Sequence, residues 1–250
     1  MDSKVAVVTG ASSGIGAATA QALCQHGYQV YIGARRIDLL NEVANTIGAT
    51  AYYLDVTDTD SVAEFSSKLD RVDVLVNNAG GALGMEPVSE ADNDNWRWMY
   101  DANVMGSLYM TKSLLPRLEA SGDGCIVFVT SVAGRQVYPG GGGYIAAKHA
   151  ERAMARTLRL ELLGKPIRVI DIAPGMVETD FSLVRFGGDA ERAARVYEGI
   201  IALDAKDVAD AVCWAVTRPS HVNIDEIVLM PRDQSSARDV YRNGRVERRS

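Results

Sequence analysis

A short apolar segment followed by a glycine-rich turn constrains the fold more than any other feature of the sequence. Val5-Ala6-Val7-Val8 is apolar throughout, which is typical of a strand buried on both faces of a sheet. It leads into Thr9-Gly10-Ala11-Ser12-Ser13-Gly14-Ile15-Gly16 and then into an alanine-rich segment that predicts a helix. Glycines let the backbone approach a diphosphate closely, and a helix N-terminus offers free N–H groups. This order predicts a dinucleotide site; the alternative is a glycine turn that only packs.

Short apolar segments and helical segments alternate along the rest of the chain. This alternation favours a parallel, doubly wound sheet. We therefore predict an α/β fold with one Rossmann-type sheet of about seven strands and helices on both faces. No repeat or linker interrupts residues 1–250, so we expect one domain with a lid around residues 181–205. The further strands are predicted at Tyr28–Gly33, Thr50–Leu54, Asp73–Val76, Cys125–Val129, Ile167–Ala173 and Glu226–Met230.

Polar residues follow several of these strands, where ligands bind in open α/β sheets. Asp55-Val56 follows the third predicted strand and Asn78-Ala79-Gly80 the fourth. Capping of the next helix is the alternative role for Asp55. The second strand ends in Ala34-Arg35-Arg36, with no acid to bind ribose hydroxyls. Arginine there accommodates a 2′-phosphate, so we expect NADP(H) rather than NAD(H); solvated arginines are the alternative.

A serine, a tyrosine and a lysine suggest an acid/base device. Ser131 follows a predicted strand, and Tyr144 and Lys148 lie four residues apart on a predicted helix, hence on one face. A neighbouring ammonium lowers the pKa of a phenol toward the range useful for proton transfer. A chance pairing of surface residues is the alternative. Asn103 lies inside another predicted helix, from about Trp96 to about Glu119. Asparagine is unfavourable there, so it either satisfies a buried polar need or holds a water.

Composition excludes some classes of function. The net charge of −6 argues against a general nucleic-acid or membrane-surface binder. Three scattered cysteines and three scattered histidines have no metal-ligand spacing, so we expect no metal site. Neither a leader nor a long apolar segment is evident, and we expect a cytoplasmic protein. Residues 238–250 carry five arginines against two acids, which predicts a solvated or subunit-bridging tail.

Taken together, these motifs resemble the short-chain dehydrogenase/reductase family over essentially the whole chain. The resemblance rests on Thr9-Gly10-x-x-x-Gly14-x-Gly16, Asp55-Val56, Asn77-Asn78-Ala79-Gly80, Asn103, Ser131, Tyr144-x-x-x-Lys148 and Pro174-Gly175. It implies that Tyr144 exchanges the proton, that Ser131 binds the substrate oxygen and that Asn103 positions a water. It also implies that Lys148 holds the nicotinamide ribose and lowers the pKa of Tyr144. The NADP(H) contacts it implies are Thr9, Gly10, Ser12, Ser13, Gly14, Ile15, Gly16, Arg35, Arg36, Asp55, Val56, Asn78, Ala79, Gly80, Tyr144, Lys148, Pro174, Gly175, Val177 and Thr179.

A narrower resemblance concerns substrate and assembly. Residues 78–87, 184–189, 221–224 and 230–235 are similar to the NADP-dependent 3-hydroxy acid dehydrogenases that act on serine and allo-threonine. Arg185, in the predicted lid, would then pair with the substrate carboxylate; a solvent-facing arginine is the alternative. That group usually has Gly-Gly-Asn-Val before the tyrosine. Here the stretch is Gly140 to Gly143, which predicts a wider or more mobile mouth. The family also implies a homo-oligomer, commonly a tetramer and otherwise a dimer.

Three functions follow as hypotheses. The first is an NADP(H)-dependent dehydrogenase for a small 3-hydroxy acid. The second is a broader ketone or aldehyde reductase. The third is a non-catalytic NADP-binding regulator, which would have no need of the proton-handling set Asn103, Ser131, Tyr144 and Lys148.

Overall fold

The computed structural model describes residues 3–242, and its seven named strands form one parallel sheet. The strands are β1 (Val5–Thr9), β2 (Gln29–Ala34), β3 (Thr50–Tyr53), β4 (Val74–Asn77), β5 (Gly124–Val129), β6 (Ile167–Pro174) and β7 (Glu226–Leu229). Their order along the sheet is β3-β2-β1-β4-β5-β6-β7, so the winding direction reverses between β1 and β4. The predicted doubly wound sheet is confirmed, and its switch point is where ligands bind in such folds.

Helices cover both faces of the sheet, which explains why β1 is apolar at every core position. Ala6 and Val8 belong to one buried cluster, and Val7 belongs to the other. The first cluster includes residues of α1, α2 and α9, and the second includes residues of α3, α5 and α6. The helices are α1 (Gly14–Gln25), α2 (Ile37–Ile47), α3 (Thr59–Ser67), α4 (Asn93–Tyr100), α5 (Gly106–Ala120), α6 (Gly142–Glu161), α7 (Phe181–Arg185), α8 (Ala190–Tyr197) and α9 (Ala205–Val216).

One predicted helix has a more complex geometry than its sequence indicated. The helix expected from Trp96 to Glu119 consists of α4, a π-helical segment over Asp101–Met105, and α5. The side chain of Asp92 accepts hydrogen bonds from two backbone N–H groups in the first turn of α4 and so fixes its start. Asn103 lies in the π-helical segment. Such segments often occur at functional sites because they turn side chains that a regular helix would place elsewhere.

The lid predicted around residues 181–205 contains the two short helices α7 and α8. The described part of the arginine-rich tail reaches this lid, because Arg242 donates hydrogen bonds to the carbonyl oxygens of Val196 and Glu198. Residues 243–250, which carry the rest of the predicted tail, lie outside the described residues. Within residues 3–242, no helix has the length and apolar character that a membrane span requires.

Candidate active site

A cavity of about 660 Å³ opens at the carboxyl ends of the central strands. Its size suits a nucleotide cofactor together with a small substrate. Of the site residues predicted from sequence, Thr9 is the one that does not border this cavity. The others do: Gly10, Ser12, Ser13, Gly14, Ile15, Gly16, Arg35, Arg36, Asp55, Val56, Asn78, Ala79, Gly80, Asn103, Ser131, Tyr144, Lys148, Pro174, Gly175, Val177, Thr179 and Arg185.

Thr9 lies behind the cavity wall, at the switch point, where it joins two neighbouring strand ends. Its hydroxyl donates to the carbonyl of Val76, although at 3.3 Å, and accepts from the N–H groups of Asn78 and Ala79. The Asn78 amide in turn donates to the carbonyl of Thr9 at 2.9 Å. These contacts fix the β1 and β4 loops against each other. Thr9 and Asn78 therefore shape the cavity, whatever further contact Asn78 makes with a ligand.

The glycine turn combines tight packing with an open anion site. A Cβ on Gly16 would lie 2.5 Å from the carbonyl oxygen of Gly10, and one on Gly10 would lie 2.8 Å from Ala79 Cα. These two glycines are therefore required by close backbone approach. The first turn of α1 has no acidic residue, and the Ser13 side chain does not cap it. Its N–H groups face a cavity, so a phosphate can bind there.

Two arginines follow β2 as the sequence predicted. The guanidinium of Arg36 donates to Ser12 Oγ at 3.0 and 3.2 Å and to Ser13 Oγ at 2.6 Å. Arg35 lies over the Trp98 ring, with its guanidinium carbon 5.9 Å from the ring centroid. The Ser12 and Ser13 hydroxyls accept hydrogen bonds from Arg36, and each still has its own hydrogen to donate. A cation flanked by two such donors is suited to bind a phosphate monoester.

Asp55 does not cap the helix that follows it. The cap of α3 is Asp58, whose side chain accepts from the Asp60 N–H. Asp55 instead accepts from the N–H and hydroxyl of Thr57 and holds a tight turn at the cavity wall. The alternative role of Asp55 as a helix cap is therefore wrong.

Ser131, Tyr144 and Lys148 come together at the end of β5, where α6 passes the strand. All three are buried, with exposed fractions of 8%, 8% and 4%. The Lys148 ammonium lies 5.9 Å from the centroid of the Tyr144 ring, and Ser131 hydrogen-bonds to Tyr144. Burial raises the pKa of Tyr144, and the Lys148 charge and the Ser131 hydrogen bond offset only part of that rise. Lys148 therefore lowers the pKa of Tyr144 as predicted, although burial keeps that pKa above its ordinary value.

The side chain of Asn103 satisfies a buried polar need. Its amide nitrogen donates to the carbonyls of Gly81 and Met99 at 2.9 and 2.6 Å, and its oxygen accepts from the Gly81 N–H at 3.2 Å. Both amide hydrogens are thus in use, and the side chain ties the loop after β4 to the π-helical segment. A water positioned by Asn103 would have to use another of its groups.

The glycines before Tyr144 are packed closely rather than open. A Cβ on Gly141 would lie 2.3 Å from the Tyr138 ring, and one on Gly143 would lie 2.4 Å from the Met99 methyl group. Likewise, a Cβ on Gly142 would lie 2.9 Å from the Trp96 ring. The prediction of a wider mouth is therefore wrong, because bulky neighbours occupy the space that the absent side chain would have filled.

Arg185 lies over the ring of Tyr144 instead of facing solvent. Its Nε donates to the carbonyl of Gly84 at 3.0 Å, and the Gly84 N–H returns a bond to the Arg185 carbonyl. Nη1 donates weakly to the Tyr138 hydroxyl at 3.4 Å. The guanidinium carbon is 5.9 Å from the Tyr144 ring centroid, and Phe181 packs edge-on against the same ring. The segment over residues 181–205 thus brings one cation and one aromatic ring to the phenol of Tyr144.

Sequence reasoning missed Glu151, which contacts Lys148 on the side away from Tyr144, and Ser107, which contacts Glu151. Glu151 Oε2 accepts from Lys148 Nζ at 2.6 Å, and its Oε1 accepts from Ser107 Oγ at 2.8 Å. Lys148 also donates to the Val129 carbonyl at 3.0 Å. One sequence feature could have indicated Glu151: it lies three residues after Lys148, on the helix face that Tyr144 and Lys148 share.

Asp171 is a further buried carboxylate near this group, and its charge can be tested by stability measurements. Burial raises its pKa to about 6 despite a hydrogen bond from Thr130. The pKa of Asp171 is higher in the folded state than in the unfolded state. Its contribution to the free energy of unfolding is therefore fully present below about pH 4 and is lost as the pH rises through 6. Relative to the wild type, we expect Asp171→Asn to gain about 2 kcal/mol in unfolding free energy between pH 4 and pH 8.

Chemical denaturation at pH 4, 6 and 8 measures this gain, and Asp73→Asn is its matched control. Burial alone would raise the pKa of Asp73, but hydrogen bonds from Arg71 and the Val5 N–H bring it below its usual value. Its variant should therefore lose relative stability as the pH rises. An Asp171→Asn variant whose relative stability falls in the same way would contradict the raised pKa.

Comparisons with known proteins place these features in context. A family model described as short chain dehydrogenase matches residues 4–185. An uncharacterized oxidoreductase of Mycobacterium tuberculosis (strain ATCC 25618 / H37Rv) is 59% identical over 234 residues, which cover 94% of this chain and 93% of the relative. The NADP-dependent 3-hydroxy acid dehydrogenase YdfG of Escherichia coli (strain K12) is 40% identical over 240 residues, covering 93% and 97%.

Solved structures give the same picture. The closed form of serine dehydrogenase complexed with NADP+ is similar with a TM-score of 0.90 and 38% identity. That similarity covers 98% of this chain and 100% of the other. The likeness extends over the lid and the C-terminal segment as well as the strands.

Proposed function

Because the chain belongs to the short-chain dehydrogenase family and is therefore an oxidoreductase, we propose that it uses NADP(H) to interconvert a small 3-hydroxy acid and its 3-oxo partner. The observation that carries the substrate class is the position of the Arg185 guanidinium over Tyr144. A 3-hydroxy acid carries its carboxylate two carbons from the reacting carbon, so one molecule can contact both side chains. Arg185 has five N–H donors, and its two side-chain contacts leave others for a carboxylate.

The residues around the cavity support NADP(H) rather than NAD(H). Arg36, Ser12 and Ser13 form a cationic cradle beyond β2, and the turn at Gly14 leads into a helix N-terminus with free N–H groups. We assign the 2′-phosphate to the cradle and the diphosphate to the helix. When bound, the cofactor supplies or accepts a hydride.

The side chains at the end of β5 handle the proton. In reduction, the Tyr144 hydroxyl donates its proton to the carbonyl oxygen as the hydride reaches the carbon, and Ser131 donates a hydrogen bond to the same oxygen. In oxidation, Tyr144 accepts the proton of the alcohol. The Lys148 ammonium stabilises the phenolate that remains after donation. Because all three side chains are buried, water does not weaken these interactions.

A substrate panel tests the proposed function. L-Serine, L-allo-threonine and 3-hydroxybutyrate are offered with NADP+, and uncharged ketones and aldehydes with NADPH, with the NADPH absorbance followed in both directions. We expect the hydroxy acids to have the higher kcat/KM. The apolar side chains of Met85, Phe181 and Phe186 at the cavity favour the second candidate, a broader carbonyl reductase, and a higher kcat/KM for the uncharged compounds would establish it instead.

Arg185→Leu is expected to raise the KM for hydroxy acids by about 10- to 100-fold, because a charge-assisted hydrogen bond to the carboxylate is lost. The KM for an uncharged ketone should change little. Steady-state kinetics with both substrates measures the difference. Arg195→Leu is the control, since this lid arginine pairs with Glu191 at the surface. Equal losses for charged and uncharged substrates would mean that Arg185 serves only to hold the lid on Gly84.

Assembly is a separate part of the proposal. We infer a homo-oligomer that pairs through α5 and α6, as tetramer or dimer. Leu160, in the last turn of α6, and Leu163, just after it, are 77% and 88% exposed and so offer apolar surface for a second subunit to bury. Light scattering coupled to gel filtration gives the mass.

A further inference from the structure

Glu151 is a buried carboxylate whose presence stability alone does not explain. It is 1% exposed and lies on the face of α6 that also buries Tyr144 and Ala155. An apolar side chain is the usual occupant of such a position, and replacing a buried ion pair by apolar groups is often neutral or stabilising. The carboxylate therefore points to a role in the site, which it contacts through Lys148.

The contacts of Glu151 hold the Lys148 ammonium in one place. One carboxylate oxygen accepts from Lys148 Nζ at 2.6 Å, and the other accepts from Ser107 Oγ at 2.8 Å. Ser107 belongs to α5, so two helices fix the carboxylate. With the Val129 carbonyl, two of the three ammonium hydrogens of Lys148 are held by the protein. The remaining one is free for the cavity that holds Tyr144.

We propose that Glu151 is a positioning residue, which fixes Lys148 and offsets part of its charge, so that Tyr144 keeps its proton to higher pH than Lys148 alone would allow. This inference rests on the proposed function, because it concerns how Tyr144 exchanges a proton. It assigns to Lys148 a partner within the protein that is present before any cofactor binds.

The charges around the pair agree with this role. Burial alone would lower the pKa of Lys148, but Glu151 raises it, so the lysine stays an ammonium. Burial raises the pKa of Glu151, and Lys148 and Ser107 counter that rise. At Tyr144, Glu151 acts to raise the pKa and thus opposes Lys148.

Other charged or titratable groups face this cluster from neighbouring elements. Asp171 of β6 raises the pKa of Lys148, and its own pKa is raised by Glu151 and lowered by Arg152. Tyr138 and Arg185 face Tyr144 from the loop before α6 and from the lid. Because Asp171 titrates near pH 6, its effect is separable from a transition at higher pH.

Glu151→Gln tests the proposal, since it keeps the shape of the side chain and removes its charge. Rates of oxidation and reduction are measured from pH 5 to 11 with the best substrate of the panel. The oxidation rate should rise with pH and the reduction rate should fall, each with a midpoint set by Tyr144. In Glu151→Gln both midpoints should move to lower pH by about one unit, because removing a nearby negative charge stabilises the phenolate. Midpoints that stay in place or move upward overturn the proposal.

Two further variants separate charge from geometry. Glu151→Asp keeps the charge and shortens the reach, so turnover should fall about tenfold while the midpoints stay near those of the wild type. Ser107→Ala removes one hydrogen bond to the carboxylate but keeps its charge, so its midpoints should also stay near those of the wild type. If Glu151→Gln fails to fold, Glu151→Leu removes the same charge and should move the midpoints in the same direction as Glu151→Gln. A shift in Glu151→Asp as large as that in Glu151→Gln overturns the charge argument.

Two controls distinguish the causes of a negative result. Asp73→Asn removes a buried carboxylate far from the site and should change stability but leave the pH midpoints in place. NADPH fluorescence shows whether each variant still binds cofactor. A wild type without a pH transition refutes the proposed role of Tyr144. A wild type with a transition that is unchanged in Glu151→Gln refutes only the role of Glu151.

Discussion

Tyr144→Phe is expected to lower turnover by about 10²- to 10⁴-fold in both directions, the range typical for loss of a general acid or base. The phenol is buried and hydrogen-bonds to Ser131, so water cannot readily replace its hydroxyl. Phenylalanine keeps the ring and its edge-on contact with Phe181. NADPH affinity should therefore change little. Steady-state kinetics gives the turnover, and NADPH fluorescence gives the affinity.

Tyr138→Phe is the matched control for this variant. Tyr138 also borders the cavity, and its hydroxyl accepts a long hydrogen bond from Arg185. The turnover of Tyr138→Phe should fall by less than about tenfold, because only one long hydrogen bond, 3.4 Å from Arg185 Nη1, is removed. If Tyr138→Phe were as impaired as Tyr144→Phe, or if Tyr144→Phe turned over normally, the assignment of the proton to Tyr144 would be refuted.

The double variant Arg35→Ala, Arg36→Ala is expected to lower the preference for NADPH over NADH by about 10²- to 10⁴-fold. Hydrogen bonds to a charged group contribute about 1.5–3 kcal/mol each, and two cations are removed. The effect should fall on NADPH, since NADH has no 2′-phosphate to lose. The ratio of kcat/KM for the two cofactors, at one substrate concentration, measures it.

The kinetics with NADH provide the internal control for this double variant. A fall in kcat/KM that is equal for NADH and NADPH would show damage to the fold rather than loss of a phosphate contact. Arg97→Ala provides an external control, because this exposed arginine pairs with Asp94 at the surface. A wild type that prefers NADH would refute the interpretation of the strand end altogether.

The fold could be predicted from sequence because local patterns determine it. The predicted strands agree with the observed ones to within one or two residues, since each is an apolar segment bounded by polar or glycine residues. The π-helical segment around Asn103 was not predictable in the same way. It depends on contacts with Gly81 and Met99 that no spacing reveals.

The site could be predicted only in part. Residues that contact a ligand through strand ends and the glycine turn follow simple topological rules. Glu151 was not predicted, because its partner Ser107 is 44 residues away in the sequence and contacts it only when α5 packs against α6. The glycine stretch was misjudged for a similar reason: Trp96 and Met99, which fill its space, come from α4. Errors thus concentrated where packing between distant helices decides the local environment.

The Thr9 hydroxyl has a consequence for how the cofactor enters. Because it joins the loops after β1 and β4 with hydrogen bonds inside the protein, we expect the crevice at the switch point to keep its width when the cofactor binds. We expect the entropy cost of binding to arise instead in α7, in α8 and in the segment that Arg242 ties to the end of α8. The central crevice should then act as a rigid receptor, and the residence time of the cofactor should depend on the elements at its rim.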